Sequence, residues 1–554
     1  MTSYRATSWQ GNITRLITVL TITVGRHATK QAAHFHYPII ISNFAAQIEE
    51  LMAKTLKEKT ASGMWWSALN NGTMQLLNLV IGIFLARLLT RADYGMVGVL
   101  TIFTLLAGNL QSSGFTQGLI NLKRPTARDY NSVFWFNVTV SIILYVVLFF
   151  SAPLIAAFFH EPALVPLSRF VFLAFLISSF GIAHGAFMTK NMMFREMAIV
   201  SCTALVVSGV VGIVHAWIYR SYWSLAWQQV VYIAVMNMGR YFYVKWKPSF
   251  KVDWGPVKSM FGFSSLILLT TMLNTLSQQV LTFIFGRIFP MKEVGDYSQA
   301  NKWNTMGHTL VSGTVGMVAQ TVMVAAGDEL ERERRVFRKM MRFTAFMAFP
   351  VMFGLALVSR EFLLVTIGEQ WLESSRLLGY LCIAGAFLPL YTVFQNLTIS
   401  RGRSDMYLVC SVLQVILQIS IVALYKWGML VMVQAYVALI ILWLLAWYTT
   451  ARRLIGYSLF QFAKDILPFA LISAAVMGIT WLATRFIENL LLLLIARVII
   501  AAVLYYVVMR LLRVKMLDEC LEFLKAKVRI GGDKRDRQSN SSRMDSEANE
   551  AGAQ

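Results

Sequence analysis

Long apolar runs recur along this chain with short polar breaks between them, and apolar residues do not alternate with polar ones. From Trp65 the runs fall at 65–89, 95–119, 132–158, 165–188, 197–219, 222–243, 260–286, 296–322, 340–362, 375–397, 406–425, 428–449, 466–484 and 489–510. A helix that crosses the hydrocarbon core needs roughly 20 apolar residues. Backbone polar groups must be satisfied internally in lipid, which leaves helices or closed barrels. These runs are too long for barrel strands, so the pattern predicts an all-α polytopic membrane protein of about fourteen transmembrane helices. Pro153, Pro350 and Pro389 lie inside runs, where membrane helices tolerate them as kinks.

The two ends of the chain read differently. Residues 1–51 contain one apolar stretch, Thr14–Gly25, which is too short to span and has no signal-peptide cleavage pattern. Met52 is followed by a basic stretch, Lys54 to Lys59, and then the first long run. That order reads as a cytoplasmic lead at 52–64. The expectation is that Met52 is the natural start, so that deleting 1–51 leaves folding and activity intact. After Arg510 come an amphipathic stretch, Val514–Val528, and a polar tail from Gly531 to Gln554 whose composition predicts disorder.

Composition agrees with the membrane reading. The chain of 554 residues is 57% hydrophobic and only 14% charged, against about a quarter charged in soluble domains. There are too few polar side chains to coat a large globule. The net charge of +22 does not point to nucleic acid, because the cations sit mostly in short connectors. One set of connectors holds twenty Lys and Arg residues, including Lys123, Arg124, Lys190, Lys245 and the Arg332–Arg342 cluster. The alternate set holds nine, including Arg87, Arg220, Arg287 and Arg376. Positive residues mark cytoplasmic loops, so the first set and both termini are expected in the cytoplasm. Cys202, Cys382, Cys410 and Cys520 are widely spaced, which implies no disulfide framework and no metal site.

The chain also repeats itself. Ala86-Arg87-Leu88-Leu89 aligns with Gly286-Arg287-Ile288-Phe289, and Asp93 and Gly95 then match Glu293 and Gly295 without a gap. Further on, Ser168-Arg169 matches Ser375-Arg376, and Glu196-Met197 matches Asp405-Met406. These matches divide the chain into an N-lobe of six helices at 65–243, a linker at 244–259, a C-lobe of six at 260–449, and a two-helix appendix at 466–510. Copies separated by six spans share one membrane orientation, so a pseudo-two-fold axis should run along the bilayer normal. That is a transporter architecture, with substrate between halves that rock about it.

Several segments carry a family resemblance. Lys59-Thr60-Ala61-Ser62-Gly63-Met64-Trp65-Trp66-Ser67, Ala86 through Gly95, and Asp129-Tyr130-Asn131-Ser132-Val133-Phe134-Trp135-Phe136-Asn137 resemble the polysaccharide transporter family. So do Gly286 through Ser298, Gly368-Glu369-Gln370-Trp371 and Arg401-Gly402-Arg403-Ser404-Asp405. The resemblance covers roughly 55–510, and none of its motifs is catalytic. It implies a Wzx-type flippase for lipid-linked oligosaccharide, within the multidrug/oligosaccharidyl-lipid/polysaccharide exporter superfamily, in a bacterial cytoplasmic (inner) membrane. The implied partners are a polyprenyl-pyrophosphate-linked oligosaccharide, membrane lipids and the polymerase or ligase machinery, with no nucleic acid and no cofactor.

Such a substrate needs a polar cavity with positive charge for the pyrophosphate, and Arg and Lys supply it. A cation at mid-bilayer faces a cavity or a partner. Lys302 and His308 lie inside the eighth run. Lys302 is a cavity candidate, whereas His308 reads as a proton-coupling group or a packed polar residue. Arg87 and Arg287 recur at equivalent ends of the first and seventh runs. They read either as a pair at the cavity mouth or as anchors paired with Asp93 and Glu293. Gln75, Asn78, Gln278 and Gln279 give those runs a polar stripe, suited to lining the cavity or to joining helices. Arg497, in the last run, reads as a structural or snorkelling charge, and His184 and His215 are weaker candidates.

Two rival functions remain. A cation-coupled multidrug exporter would be expected to hold a carboxylate in its first span, and 65–89 has no Asp or Glu. A membrane polymerase or ligase needs a loop or domain with acid, base or metal groups, and the connectors are short. No Walker loop is present, so transport would draw on an ion gradient, the membrane potential or facilitated diffusion.

Overall fold

The structure is a computed structural model that describes residues 66–67, 69–123, 125–250, 253–325, 329–514, 516–519 and 522. The extension at 1–51, the lead at 52–64, most of the amphipathic stretch at 514–528 and the tail at 531–554 lie outside the described residues.

A helix stands over each of the fourteen expected runs. In chain order they are α1 (Leu69–Leu88), α2 (Arg91–Asn121), α3 (Ala127–Phe159), α4 (Leu164–Lys190), α5 (Phe194–Tyr219), α6 (Trp223–Tyr243) and α7 (Gly255–Ile288). They continue with α8 (Met291–Ala325), α9 (Leu330–Ile367), α10 (Leu372–Ser400), α11 (Ser404–Ser420), α12 (Met429–Ile455), α13 (Leu459–Thr484) and α14 (Leu490–Leu511). Among the described residues, eleven helices are long and apolar enough to cross a membrane. Helices α6, α7 and α8 stand outside that count; all three carry amides and α8 also carries Lys302 and His308.

Trp66 and Arg195 belong to one compact unit, in which the guanidinium lies 5.8 Å from the indole ring centre. Asn70–Asn191 and the chain from Glu196 form a second unit, which holds the helix bundle.

Helix starts are set by local chemistry. Thr90 and Thr126 each accept the N–H of a residue three further on, Asp93 and Asp129, whose carboxylates reach back to the cap N–H. These reciprocal bonds satisfy donors that a helix start leaves orphaned. Ser458 and Gln461 do the same for α13. Gly456 ends α12 in the left-handed region (φ 62°), where lack of a Cβ removes the penalty. At the start of α7, the Gly255 N–H and the Arg128 guanidinium hold the Asp253 carboxyl below its usual range. The helix therefore begins before the expected 260, and the connector from the N-lobe shortens to 244–254. At 38 residues α9 is about 57 Å long. It extends well past a bilayer core of about 30 Å, which is why the apolar run at 340–362 understates it.

The two halves repeat their packing. In the first, α4 packs on α2, α3 and α6; in the second, α10 packs on α8, α9 and α12. The halves meet chiefly through α2 against α7 and α8. Helices α13 and α14 pack on α9 and on each other. The linking side chains are charged. Arg338 and Arg342 of α9 donate to the fully buried Asp465 of α13 at 2.8 and 2.5 Å, and Tyr457 donates to the same carboxylate at 3.0 Å. Part of the Arg332–Arg342 cluster thus fastens the appendix to the C-lobe.

Small residues allow close helix approach. A Cβ at Gly181 of α4 would lie 1.8 Å from Asn237 Oδ1 of α6. One turn on, Gly185 makes room for Arg240, which donates to Gly181 O at 3.2 Å.

Candidate functional site

The sequence repeat becomes geometry where α2 and α8 begin. A Cβ at Gly95 would lie 1.9 Å from the Met291 carbonyl oxygen, and one at Gly295 would lie 1.7 Å from the Arg91 carbonyl oxygen. Gly95 and Gly295 are equivalent in the repeat, as are Arg91 and Met291. The contact is therefore reciprocal about a pseudo-two-fold axis, and only bare backbone fits there. The halves are in backbone contact at this end, the one opposite the cation-rich connectors.

Other contacts reinforce it. The Arg91 guanidinium lies 3.0 Å from the Asp296 carboxylate, which is buried and also accepts the Ser374 hydroxyl at 2.9 Å. Trp371, fully buried, donates from Nε1 to Ala86 O at 2.9 Å, and Gln370 donates to the same oxygen at 3.0 Å. The Tyr94 ring meets Trp371 edge-on at 5.3 Å. The Gly368–Trp371 segment thus ties the C-lobe to the end of α1.

Arg87 and Arg287 belong to the same closure. Arg87 donates to the carbonyl oxygens of Thr366 (2.6 Å) and Val365 (2.8 Å) at the end of α9. A cation there meets unpaired carbonyls and the negative end of the helix dipole. Arg287 donates to the His160 ring at 2.8 Å, at the end of α3, and lies 5.2 Å from the Phe158 ring centre. Helices α3 and α9 are repeat partners, so this contact is reciprocal as well. Of the two readings of Arg87, the ion pair with Asp93 does not form, because the Asp93 carboxylate accepts N–H groups from Thr90 and Tyr222. Local spacing suggested that pair, but the capping box and a neighbouring loop engage the carboxylate first.

Deeper along the bundle, Lys302 of α8 reaches the opposite half. A Cβ at Gly82 of α1 would lie 2.9 Å from Lys302 Nζ, so the ammonium rests against the α1 backbone. Among the described residues Lys302 has neither a hydrogen bond nor a carboxylate partner. His308 is largely buried, and its Nδ1 has no hydrogen-bond partner. Six residues apart on one helix, Lys302 and His308 point in different directions. Asn109 of α2 donates to Thr275 of α7 at 2.6 Å, a further link between the halves.

One turn from Gly82 on α1, Asn78 lines an open cavity of about 410 Å³ formed by N-lobe helices. Its polar wall is Asn78, Ser208, Gln228, Gln229 and Tyr232; the remainder is apolar, and among the described residues no lining side chain carries a charge. Gly212 gives Gln228 its place, with a Cβ there 3.0 Å from Gln228 Cβ. Gln75 is half-buried on α1. On α7, Gln278 is exposed and Gln279 half-buried, while Asn274 and Ser277 bond Tyr407 and Gln418 of α11 at 2.6 and 3.3 Å. Sequence reasoning did not single out Gln228, Gln229 or Tyr232; the available signal was a pair of adjacent amides in a mostly apolar run.

The remaining candidates are structural. Arg497 pairs with Glu361 at 2.8 Å with both side chains buried, and it donates to Leu357 O at 3.1 Å and Thr484 Oγ1 at 3.2 Å. It does not snorkel; it joins α14 to α9 and α13. It also borders a largely apolar groove of about 720 Å³ between these helices. His184 packs on Tyr241 (3.9 Å) and Trp246 (5.1 Å). His215 bonds Ser224 at 3.0 Å. Arg169 lies over Phe149 (4.2 Å), and Arg376 pairs with Glu373 (3.2 Å).

Two lobes of six helices closed about a pseudo-axis define a membrane transporter fold. The chain belongs to the polysaccharide biosynthesis protein family, whose model matches residues 84–376. It is similar to the succinoglycan biosynthesis transport protein ExoT of Rhizobium meliloti, with 25% identity over 86% of this chain and 98% of that protein. The lipopolysaccharide biosynthesis protein WzxC of Escherichia coli is 25% identical over 63% of this chain and 72% of its own. The teichuronic acid biosynthesis protein TuaB of Bacillus subtilis is 24% identical over 64% of this chain and 73% of its own. Among solved structures, the lipid II flippase MurJ in an inward closed conformation has the same fold (TM-score 0.65, 13% identity, 81% of this chain and 99% of that one). An inward-facing MATE transporter of the MOP superfamily also shares it (TM-score 0.57, 14% identity, 68% of this chain and 94% of that one). The family resemblance in the sequence agrees with this membership.

Proposed function

We propose that this protein is a flippase that carries polyprenyl-pyrophosphate-linked oligosaccharide across the bacterial cytoplasmic membrane by alternating access, in the biosynthesis of surface polysaccharide or lipopolysaccharide. The observation that carries this reading is the reciprocal contact of Gly95 and Gly295 at one end of two repeated halves, in a chain of the polysaccharide biosynthesis family. A pseudo-symmetric pair of lobes that touch at one end is built to rock open there and close at the other.

The charge of the connectors makes the touching end extracytoplasmic, with both termini cytoplasmic. All fourteen helices then span, with 65–243 and 260–449 as the moving lobes and 466–510 as an appendix on the C-lobe. Lys302, half-buried and without a carboxylate partner among the described residues, is the cation that receives the pyrophosphate. Arg87 and Arg287 act at the outer closure. Gln75, Asn78, Gln278 and Gln279 supply polar surface along the path, and His308 is available for coupling to a proton. The protein performs no covalent chemistry and delivers its cargo to polymerase or ligase machinery.

The test is reconstitution of the full chain in proteoliposomes containing lipid-linked oligosaccharide, with lectin access timed from one face. A flippase exposes the inner-leaflet pool on a time scale that protein-free vesicles do not match. Identical time courses with and without protein would sink the reading.

A further inference from the structure

The open cavity formed by N-lobe helices has a chemistry unlike that of the closure and of Lys302. Its polar wall consists of two consecutive amides, Gln228 and Gln229, a third amide at Asn78, the Ser208 hydroxyl and the Tyr232 phenol. Amides and hydroxyls both donate and accept; Asn78 and Ser208 already donate to Met74 O and Leu205 O, so the demand for hydrogen-bond partners falls chiefly on the half-buried Gln228, Gln229 and Tyr232. A neutral molecule dense in hydroxyl groups meets that demand, whereas an anion would find no cation among the lining residues.

The place of the cavity sharpens this. Asn78 and Gly82 are four residues apart on α1, so they share a face and are separated by about 6 Å along the axis. Lys302 Nζ rests against Gly82. A cation site and a neutral polar cavity therefore lie one helical turn apart. A sugar joined directly to a pyrophosphate has its ring about that far from the charge.

We propose that the N-lobe cavity between α1, α5 and α6 is a neutral glycosyl subsite that holds the sugar adjoining the pyrophosphate, with Gln228 and Gln229 as its main hydrogen-bonding residues. Lys302, supplied by the opposite lobe, engages the charge, and the cavity reads the sugar. The linkage region then touches both lobes at once. This inference rests on the flippase reading and adds to it a location and a chemical discrimination.

The experiment measures equilibrium binding to the full chain in nanodiscs with two probes. One is the lipid-linked oligosaccharide that accumulates in cells lacking the gene; the other is bare polyprenyl pyrophosphate. The variant Gln228→Leu/Gln229→Leu replaces both amides with apolar side chains that a membrane helix accepts. The proposal expects its affinity for the glycosylated probe to fall about thirtyfold, the effect of two lost hydrogen bonds, with the bare lipid unaffected. Lys302→Gln weakens both probes, which shows that each reports on the same site. Equal weakening of both probes by the double leucine variant, or no change in either, overturns the subsite. Failure of the wild-type chain to bind either probe would instead defeat the flippase reading, together with the subsite that depends on it.

Discussion

Arg91 of α2 and Asp296 of α8 come from opposite halves of the chain and meet at 3.0 Å, with the carboxylate buried and the guanidinium partly open. Their repeat counterparts are Met291 and Met96, so the pair is an asymmetric latch beside the reciprocal glycine contact. Losing one partner leaves a buried charge short of hydrogen bonds, at about 2 kcal/mol. Arg91→Ala should therefore lower the ratio of closed to open forms at this end about thirtyfold. Spin-label distances between the ends of α1 and α9 check this; an unchanged distribution contradicts it.

The backbone contact is stricter. A Cβ at Gly295 would lie 1.7 Å from a carbonyl oxygen that cannot rotate away. Gly295→Ala and Gly95→Ala should each cut transport at least tenfold while the protein still folds, because the halves can no longer meet. The check is flipping rate alongside thiol labelling at this end, which should rise with the alanine present. Normal transport in either variant would show that the contact is not needed.

In the appendix, Arg497 and Glu361 form a buried pair. Removing one member of such a pair costs about 3–5 kcal/mol, whereas replacing both with apolar residues is often close to neutral. Arg497→Met and Glu361→Met should each lower the melting temperature in detergent, and the double variant should recover most of the loss. Additive losses would mean that the two residues act independently.

Asp465 is fully buried beneath Arg338, Arg342 and Tyr457. Asp465→Leu strands two cations and should loosen α13 and α14 from α9, seen as faster proteolysis between the C-lobe and the appendix. Proteolysis at the wild-type rate would remove the carboxylate from its fastening role.

Much of the fold was legible because bilayer thickness dictates helix length, and an apolar run of that length has few other fates. The duplication was legible too, since Gly95 and Gly295 recur without a gap, and their mutual approach gives the recurrence a physical cause. Partners across the fold were not legible. Nothing near Arg497 in sequence names Glu361, and nothing near Arg91 names Asp296, because such pairs are set by packing between distant helices. Arg87 shows the converse: an ion pair with Asp93, near in sequence, was one of two readings, yet helix capping had already engaged that carboxylate. Gln228 and Gln229 went unremarked for a related reason. An amide in an apolar run can join helices or line a cavity, and only packing, such as the space left by Gly212, decides between these.

Lys302 is the residue on which substrate charge should bear. Lys302→Gln should reduce flipping about a hundredfold without loss of folded protein, while Lys302→Arg retains part of it, since either cation can bind phosphate oxygens. Equal rates in wild type and Lys302→Gln would take the pyrophosphate elsewhere.

Flipping itself is tested most simply in the cell, by deleting the gene and determining which membrane leaflet holds the lipid-linked oligosaccharide. The completed unit should accumulate facing the cytoplasm while surface polysaccharide disappears. Normal amounts of the unit on the outer leaflet would contradict a flippase role for this protein.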